Sequence, residues 1–484
     1  MGVAREMIDA GLWLDGIRTI MHGHPAHDVH AGFADLPYGE LGLPQPATER
    51  ILTRHLERFG IRPERGTALT ALRQDADGVT ATLARDGGAM EELRCRYLVG
   101  CDGAHSAVRH ALGIGFPGEA LPMGFMLGDV RIARDLPRGM ALRAMRLVEG
   151  GAPDFFVAIP LPEPGRYRVT MLAPHDAQQA AGSDHGIQTE AAGPDLAALQ
   201  RVADELLPEP APLSDLRWSS LFRISMRLAD RYRVGHAFIA GDAAHIHPPT
   251  GGQGMNTGIQ DAYNLAWKLA LVLDGAAPAA LLDSYEAERR PVGAEVVART
   301  HAASVNLGRE RRPPDRLADT QILVSYRGTR WVRDDAVGVL DDAVPQAGDR
   351  APDAGELRRH GIGYPLRLFD LLRGTEHVLR TRGRRRRGAA PGGACRPRAA
   401  VAADRAGSRR GAVGCDVGSA GRAGRARRSR RLRRGIRHAR CLLPGAAGRL
   451  HRLARGVVAR RRSRRVAAAV VAGSAAQLAM TPPP

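Results

Sequence analysis

Two stretches of the chain end an apolar run on a carboxylate and a glycine. Arg96-Tyr97-Leu98-Val99-Gly100-Cys101 stops at Asp102-Gly103, and His236-Ala237-Phe238-Ile239-Ala240 stops at Gly241-Asp242. Both runs are short and apolar enough for buried strands, and helical text follows each, so both read as strand, tight turn and helix. Ser106 can cap the first helix, which begins Ala107-Val108-Arg109-His110. The second turn leads into Pro248-Pro249-Thr250-Gly251-Gly252-Gln253-Gly254 and a long helix predicted from Thr257 to Leu273. A glycine-rich loop feeding a helix offers free backbone N–H groups and the positive end of the helix dipole, which suits an anionic or electron-rich ligand. His245 and His247 stand just before the loop. They are weak candidates for proton transfer, because a histidine packed beside proline is first of all a structural residue.

Other patterns imitate sites without meeting their requirements. Gly113-Ile114-Gly115-Phe116-Pro117-Gly118 satisfies GxGxxG, yet it follows a helix and contains Pro117, where a dinucleotide fingerprint needs a strand before and a helix after. It reads as a turn into a sheet. His22, His24, His27 and His30 fit neither a helix face nor a zinc spacing, and Pro25 interrupts them, so a solvated loop or strand is expected. Trp218, Phe222 and Met226 recur every four residues, a core-packing pattern. Cys95, Cys101, Cys395, Cys415 and Cys441 include no CxxC pair, so neither a disulfide framework nor a metal site is expected.

The elements that must position these residues alternate between two types. Residues 123–132, 154–161 and 166–173 read as extended, the last two joined by a Pro-Glu-Pro-Gly turn, and predict an antiparallel sheet between the two strand-turn-helix units. Helices are predicted from Ala197 to Leu207 and from Leu282 to His301. The chain of 484 residues carries 70 Lys+Arg against 51 Asp+Glu, but the excess is local. Residues 1–380 are net −7, whereas residues 381–484 hold 28 Arg, two Asp and no aromatic residue. A hydrophobic content of 44% is ample for a core, and no apolar run reaches the roughly 18 residues of a membrane span. No secretory signal opens the sequence, so a cytoplasmic protein without membrane attachment is expected. Lys268 is the only lysine beside 69 arginines, a ratio read as codon bias in GC-rich DNA.

Cys101-Asp102-Gly103-Ala104-His105-Ser106-Ala107-Val108-Arg109 resembles the Asp-Gly motif of single-component FAD-dependent aromatic hydroxylases, the para-hydroxybenzoate hydroxylase-like family. Gly241-Asp242-Ala243-Ala244-His245-Ile246-His247-Pro248-Pro249 resembles their Gly-Asp motif, continued by Gly251-Gly252-Gln253-Gly254-Met255-Asn256-Thr257-Gly258-Ile259-Gln260-Asp261-Ala262. The wording is closest to the polyketide and phenol hydroxylases. The resemblance implies an α/β fold: an FAD-binding Rossmann-like domain of the glutathione-reductase type, incomplete here, with an inserted antiparallel-sheet substrate domain. It implies FAD and NAD(P)H as cofactors, O2 and a small aromatic compound as substrates, and no metal.

Residue roles follow from the same resemblance. Asp242, with Gly241, matches the aspartate that contacts the ribityl chain, and Asp102, Gly103 and Arg109 lie near the flavin and the nicotinamide path. Gly251, Gly252, Gly254, Met255 and Asn256 would set backbone N–H groups beside the pyrimidine edge. Pro248 would shape the pocket next to the reacting carbon, and with His245 and His247 it completes the weak catalytic candidates. Gln45 resembles a glutamine that opens an FAD-contacting helix.

The implied organisation is a partial FAD-binding domain with early substrate-sheet strands over 1–118, the substrate sheet over 119–228, and the second FAD-binding part over 229–310. Residues 311–380 would be a linker and the start of a thioredoxin-like domain, entered at Gly348-Asp349-Arg350-Ala351-Pro352-Asp353. The family's first strand and GxGxxG helix have no counterpart before Gln45, so an N-terminally truncated chain with two open strand edges and impaired FAD binding is expected. The Arg/Ala/Gly-rich text of 381–484 has the composition of a shifted reading frame and is expected to be disordered apart from a helix near Val466–Met480. The competing class is a non-enzymatic remnant or interaction protein with a basic nucleic-acid-binding tail. Arginine clusters neutralise phosphates, but no aromatic residue is interleaved for base stacking, so no nucleic-acid partner is expected. An epoxidase or a phenol-type monooxygenase is not distinguished from a polyketide hydroxylase.

Overall fold

A computed structural model of the chain describes residues 2–32, 36, 38–133, 136–149, 153–174, 193–248, 252–305, 316–334, 344–359, 361–373, 378–382, 398–403, 413–416 and 468–472. Two units result, one of residues 2–315 with 464–484 and one of residues 316–463 with Met1. All residues singled out by the two motifs fall in the first unit.

That unit contains a small sheet in which Tyr97–Cys101 is the pivot. Ala237–Ile239 runs parallel to it, Leu98 opposite Ala237 and Gly100 opposite Ile239, and the short Arg233–Val234 strand closes the far side as a hairpin. Tyr97, Leu98, Val99, Ala237, Phe238 and Ile239 are all buried, as parallel strands covered on both faces must be. The two strands end side by side, so the Asp102 and Asp242 turns are brought together although 140 residues separate them. The other edge of Tyr97–Cys101 is paired in parallel with Ala468–Ala472.

An eight-stranded sheet forms the second layer. Its order is His245–Ile246, Leu213–Leu228, Gly118–Ile132, Arg166–Leu172, Asp154–Pro160, Met140–Arg146, Gly16–Met21 and His27–His30. The sheet is antiparallel except where Met140–Arg146 lies parallel to Gly16–Met21, so the expected antiparallel sheet is mixed at one point. Helix Leu196–Leu206, capped by Asp195 through the Ala198 N–H at 2.8 Å, covers one face with Leu199, Val202, Ala203 and Leu206 buried. The other face carries Phe125, Met145, Phe155, Phe222 and Ile224. Gly118 begins a sheet strand directly after the helix Ala107–Ala111 and its following turn, which confirms the GxGxxG imitation as an entry to the sheet. His27–His30 is an exposed edge strand. Among the described residues no group of three His, Cys, Asp or Glu is arranged to hold a metal, and no helix is long and apolar enough to cross a membrane.

Several elements differ from the sequence expectations. Trp218, Phe222 and Met226 lie on the 16-residue strand Leu213–Leu228, with Phe222 and Met226 buried. A three-stranded meander, Thr67–Asp75, Gly78–Arg85 and Met90–Cys95, precedes the Tyr97 strand and was not anticipated. The tail is corrected in parts. Val378–Arg382, Arg398–Ala403, Val413–Asp416 and Arg358–Arg359 form a four-stranded sheet of the second unit, and Ala468–Ala472 is a strand where a helix was expected. Short Ala/Val runs can satisfy their backbone groups by pairing with a neighbour without large side chains to bury, and Ala468–Ala472 does so on the edge of Tyr97–Cys101. Between residues 316 and 373 the described elements are helices Arg316–Asp319 and Leu368–Leu371, the strand Arg358–Arg359 and two isolated bridges, Ser325 to Asp349 and Leu357 to Leu366.

Candidate functional site

The first turn is held by side chains that cap the helix after it. Ser106, fully buried, accepts a hydrogen bond from the Arg109 N–H at 2.9 Å, and Asp102 Oδ2 accepts from the Val108 N–H at 3.0 Å. Two of the four N–H groups a helix start leaves unpaired are thereby satisfied. Asp102 Oδ1 is buried without a partner. Arg109 turns inward: Nη2 donates to the Ala104 carbonyl at 2.8 Å, Nη1 donates to the Ala243 carbonyl at 3.2 Å, and the guanidinium lies 4.0 Å from the Phe116 ring centre. The side chain thus ties the two motifs to each other.

The second turn is built on a close backbone approach. Gly241 has φ +61°, and a Cβ on Gly258 would stand 3.2 Å from the Gly241 Cα, so helix and turn meet with no side chain between them. The helix begins at Gly254, one turn earlier than expected, and runs to Leu273. Gly254, Met255 and Asn256 are therefore its first turn, whose N–H groups have no intrahelical partner. Asn256 Nδ2 donates to the Gly252 carbonyl at 3.1 Å and Thr257 Oγ1 to the Gln253 carbonyl at 2.8 Å, which closes the loop onto the helix. Gly251 lies outside the described residues. Among the described residues Asp242 makes no hydrogen bond, and burial pushes its carboxyl up, opposed in part by His245.

The buried face of this helix is polar. Asp261 Oδ2 accepts from His245 Nε2 at 2.7 Å and from the Gly241 N–H at 3.2 Å, and Asp261 Oδ1 accepts from Arg289 Nε at 2.7 Å. Burial alone would raise the Asp261 carboxyl, but His245 and Arg289 outweigh it and hold it below the usual carboxylate range. Two turns further, Lys268 Nζ donates to Glu288 Oε2 at 2.6 Å and to Asn264 Oδ1 at 2.7 Å. The sole lysine, which composition had suggested was incidental, is a fully buried cation joining two helices. Sequence reasoning passed over Asp261, Arg289 and Lys268. The available signal was charge at helical spacing within an otherwise apolar segment, which must face inward to share a face with Leu265 and Leu269.

The two histidines divide differently. His245 is buried, bonded to Asp261, and belongs to the strand that pairs with Leu228 at the edge of the large sheet. His247 Nδ1 donates to the Pro248 carbonyl at 2.9 Å, its Nε2 is buried without a partner, and burial lowers its proton affinity. Pro248 is buried immediately beyond the sheet edge. Gln45 opens the helix Gln45–Glu57 as expected, and its amide donates to Glu49 at 3.1 Å on the surface.

The chain is similar to known proteins. Residues 1–300 match the FAD binding domain family model. The chain belongs to the FAD-dependent aromatic hydroxylase family. A flavin-dependent monooxygenase of Mycobacteroides abscessus is 39% identical over 361 residues, covering 74% of this chain and 70% of that one. The 12-dehydrotetracycline 5-monooxygenase/anhydrotetracycline 6-monooxygenase of Streptomyces rimosus subsp. rimosus is 42% identical over 278 residues, 56% of this chain, and the match spans 52% of that protein's length. The chain therefore spans about half the length of this relative. The crystal structure of aklavinone-11 hydroxylase in a ternary complex with FAD and aklavinone superposes with a TM-score of 0.59 at 28% identity, covering 76% of this chain and 72% of that one.

The residues of this family member fit part of an FAD. Asp102 Oδ1 is buried without a partner, Asp242 makes no hydrogen bond among the described residues, and the first-turn N–H groups of Gly254 to Asn256 have no intrahelical partner, polar groups of the kind an FAD would engage.

Proposed function

We propose that the protein is a monooxygenase that hydroxylates an aromatic ring, of a phenol or a polycyclic polyketide, with FAD, NAD(P)H and O2, in the cytoplasm and without a nucleic-acid partner. The observation that carries this reading is the parallel pairing of Tyr97–Cys101 with Ala237–Ile239, which sets the Asp102 and Asp242 turns side by side at the strand ends beside the Gly254 helix start. FAD, when bound, supplies the redox chemistry: it takes reducing equivalents from NAD(P)H and lets one atom of O2 pass to the ring.

The protein's own groups do the rest. In this reading Asp242 accepts a hydrogen bond from a ribityl hydroxyl, and Gly241 lets the backbone approach. The N–H groups of Gly254, Met255 and Asn256, with Gly251 and Gly252 before them, offer a positive dipole end to the electron-rich pyrimidine edge. Asp102 and Gly103 border the nicotinamide approach, with Arg109 holding their loop. Pro248 walls the pocket, and Gln45 contributes from its helix. His245 and His247 each spend one ring nitrogen on a fixed hydrogen bond, which supports positioning roles over proton transfer. The apolar face of Phe125, Phe155, Phe222 and Met145 suits a flat, weakly polar substrate, and the names of the relatives point to the same class. The domain limits 1–118, 119–228, 229–310 and 311–380 belong to this proposal, including a thioredoxin-like start in the last.

The test is flavin retention followed by turnover. The purified protein, titrated with FAD, is expected to quench flavin fluorescence and then to consume NADH or NADPH faster when a phenol or an anthracycline-type polyketide is added, with hydroxylated product seen by mass spectrometry. Failure to bind FAD, or NAD(P)H consumption that no aromatic compound stimulates, would overturn it.

A further inference from the structure

The Asp261 carboxylate reaches in three directions at once. One oxygen takes the Gly241 N–H and His245 Nε2, the other takes Arg289 Nε, and all three side chains are at most 1% exposed. Arg289 does not end there: Nη2 reaches the Thr257 carbonyl at 3.4 Å and Nη1 reaches Gln260 Oε1 at 3.5 Å, both in the first two turns of the helix. His245 sits in the strand that docks on the large sheet. The carboxylate therefore joins four elements: the Gly-Asp turn, the helix whose N-terminus lies beside it, the following helix and the sheet edge.

We propose that Asp261 is the positioning residue of the Gly241–Asp242 turn, holding it in its left-handed conformation through the Gly241 N–H, with Arg289 and His245 fixing the carboxylate in turn. The inference deepens the flavin-binding reading given above and rests on it for its consequence, although the clamp itself does not require the cofactor. Gly241 at φ +61° adjoins Asp242, so a rotation of the peptide that frees its N–H also swings the Asp242 carboxylate away from the Gly254 helix start. A mere packing group would not have this effect. The Gly241 N–H is a backbone donor in a half-buried turn, and among the described residues its only hydrogen-bond acceptor is Asp261.

Two readouts on Asp261→Asn separate the outcomes, with His245→Gln as a variant that still donates to the carboxylate. An asparagine offers one acceptor oxygen to donors on two sides, so the Gly241 amide is expected to lose its partner. In the protein without added cofactor, hydrogen exchange at the Gly241 amide should speed up at least about tenfold in Asp261→Asn and stay within about threefold in His245→Gln. FAD affinity, read by fluorescence quenching, should fall by about tenfold or more in Asp261→Asn. Unchanged Gly241 exchange in a folded Asp261→Asn protein would overturn the clamp. Faster exchange with undiminished FAD affinity would overturn the positioning role. A wild-type protein that binds no FAD would refute the flavin reading by itself, while the exchange data would still decide the clamp. If Asp261→Asn does not fold, Arg289→Lys, which keeps the charge but loses the fork, is expected to give the same pair of changes, and neither change in that variant would sink the proposal.

Discussion

The guanidinium of Arg109 donates to the carbonyl of Ala243 at 3.2 Å, a bond between residues 134 positions apart that fastens the Asp-Gly turn to the Gly-Asp turn. The same side chain holds Ala104 at 2.8 Å and lies over Phe116. Lysine cannot span two carbonyls with a planar fork, so Arg109→Lys should cost about 1–3 kcal/mol of stability and lower FAD retention. Urea unfolding monitored by tryptophan fluorescence checks the first expectation and flavin absorbance after gel filtration the second. An unaltered protein in both assays would show that the bond positions nothing.

Asp242 supplies a pH dependence of ligand binding. Its carboxyl is raised above the ordinary range because burial disfavours the charged form. If, as proposed, a ribityl hydroxyl donates to the ionised carboxylate, FAD affinity is expected to weaken as pH falls through the raised value and to be constant well above it. The linkage also acts on folding. The folded state binds the proton more tightly than the unfolded chain, so this group's contribution to stability is greatest below the unfolded value and declines as pH rises through the folded one. FAD titrations from acidic to neutral pH should show the trend in wild type and a flat profile in Asp242→Asn, and equal slopes in the two would refute the assignment.

The Lys268–Glu288–Asn264 cluster is a buried polar network, so its partners are not separable. Lys268→Met leaves Glu288 buried and uncompensated and should destabilise the fold by about 3–5 kcal/mol. The double change Lys268→Met with Glu288→Leu should recover most of that loss, because no ionised group is then left without a partner. Denaturant midpoints of the single and double variants give the comparison, and a single variant as stable as wild type would count against a functioning ion pair.

Gly258 offers a substitution in which helix propensity and close packing oppose each other. Glycine to alanine inside a helix ordinarily gains about 1 kcal/mol. Here the new Cβ meets the Gly241 Cα at 3.2 Å, so the turn must give way. Thermal stability of Gly258→Ala should change by no more than about 1 kcal/mol, whereas FAD affinity should fall roughly tenfold. A gain in stability with intact FAD binding would show that the turn and the helix are not in functional contact.

The sequence by itself determined the local parts of this protein. The two strand-turn-helix motifs, the Ser106 cap, the strands at 154–160 and 166–172 and the helices ending near Leu206 and Leu273 all follow from nearest-neighbour chemistry and short-range period, whereas membership of a flavin family rests on the resemblance of the two motifs. The order of residues does not state which carbonyl Arg109 will reach, nor that a charged stripe on an apolar helix faces inward. Asp261, Arg289, His245 and Lys268 looked like isolated charges because their partners lie between 16 and 28 positions away, and only packing removes the water that makes those pairings obligatory. Tertiary structure also decided the fate of Ala468–Ala472. An Ala/Val run carries little preference of its own, and it became a strand because the edge of Tyr97–Cys101 had backbone donors and acceptors to satisfy.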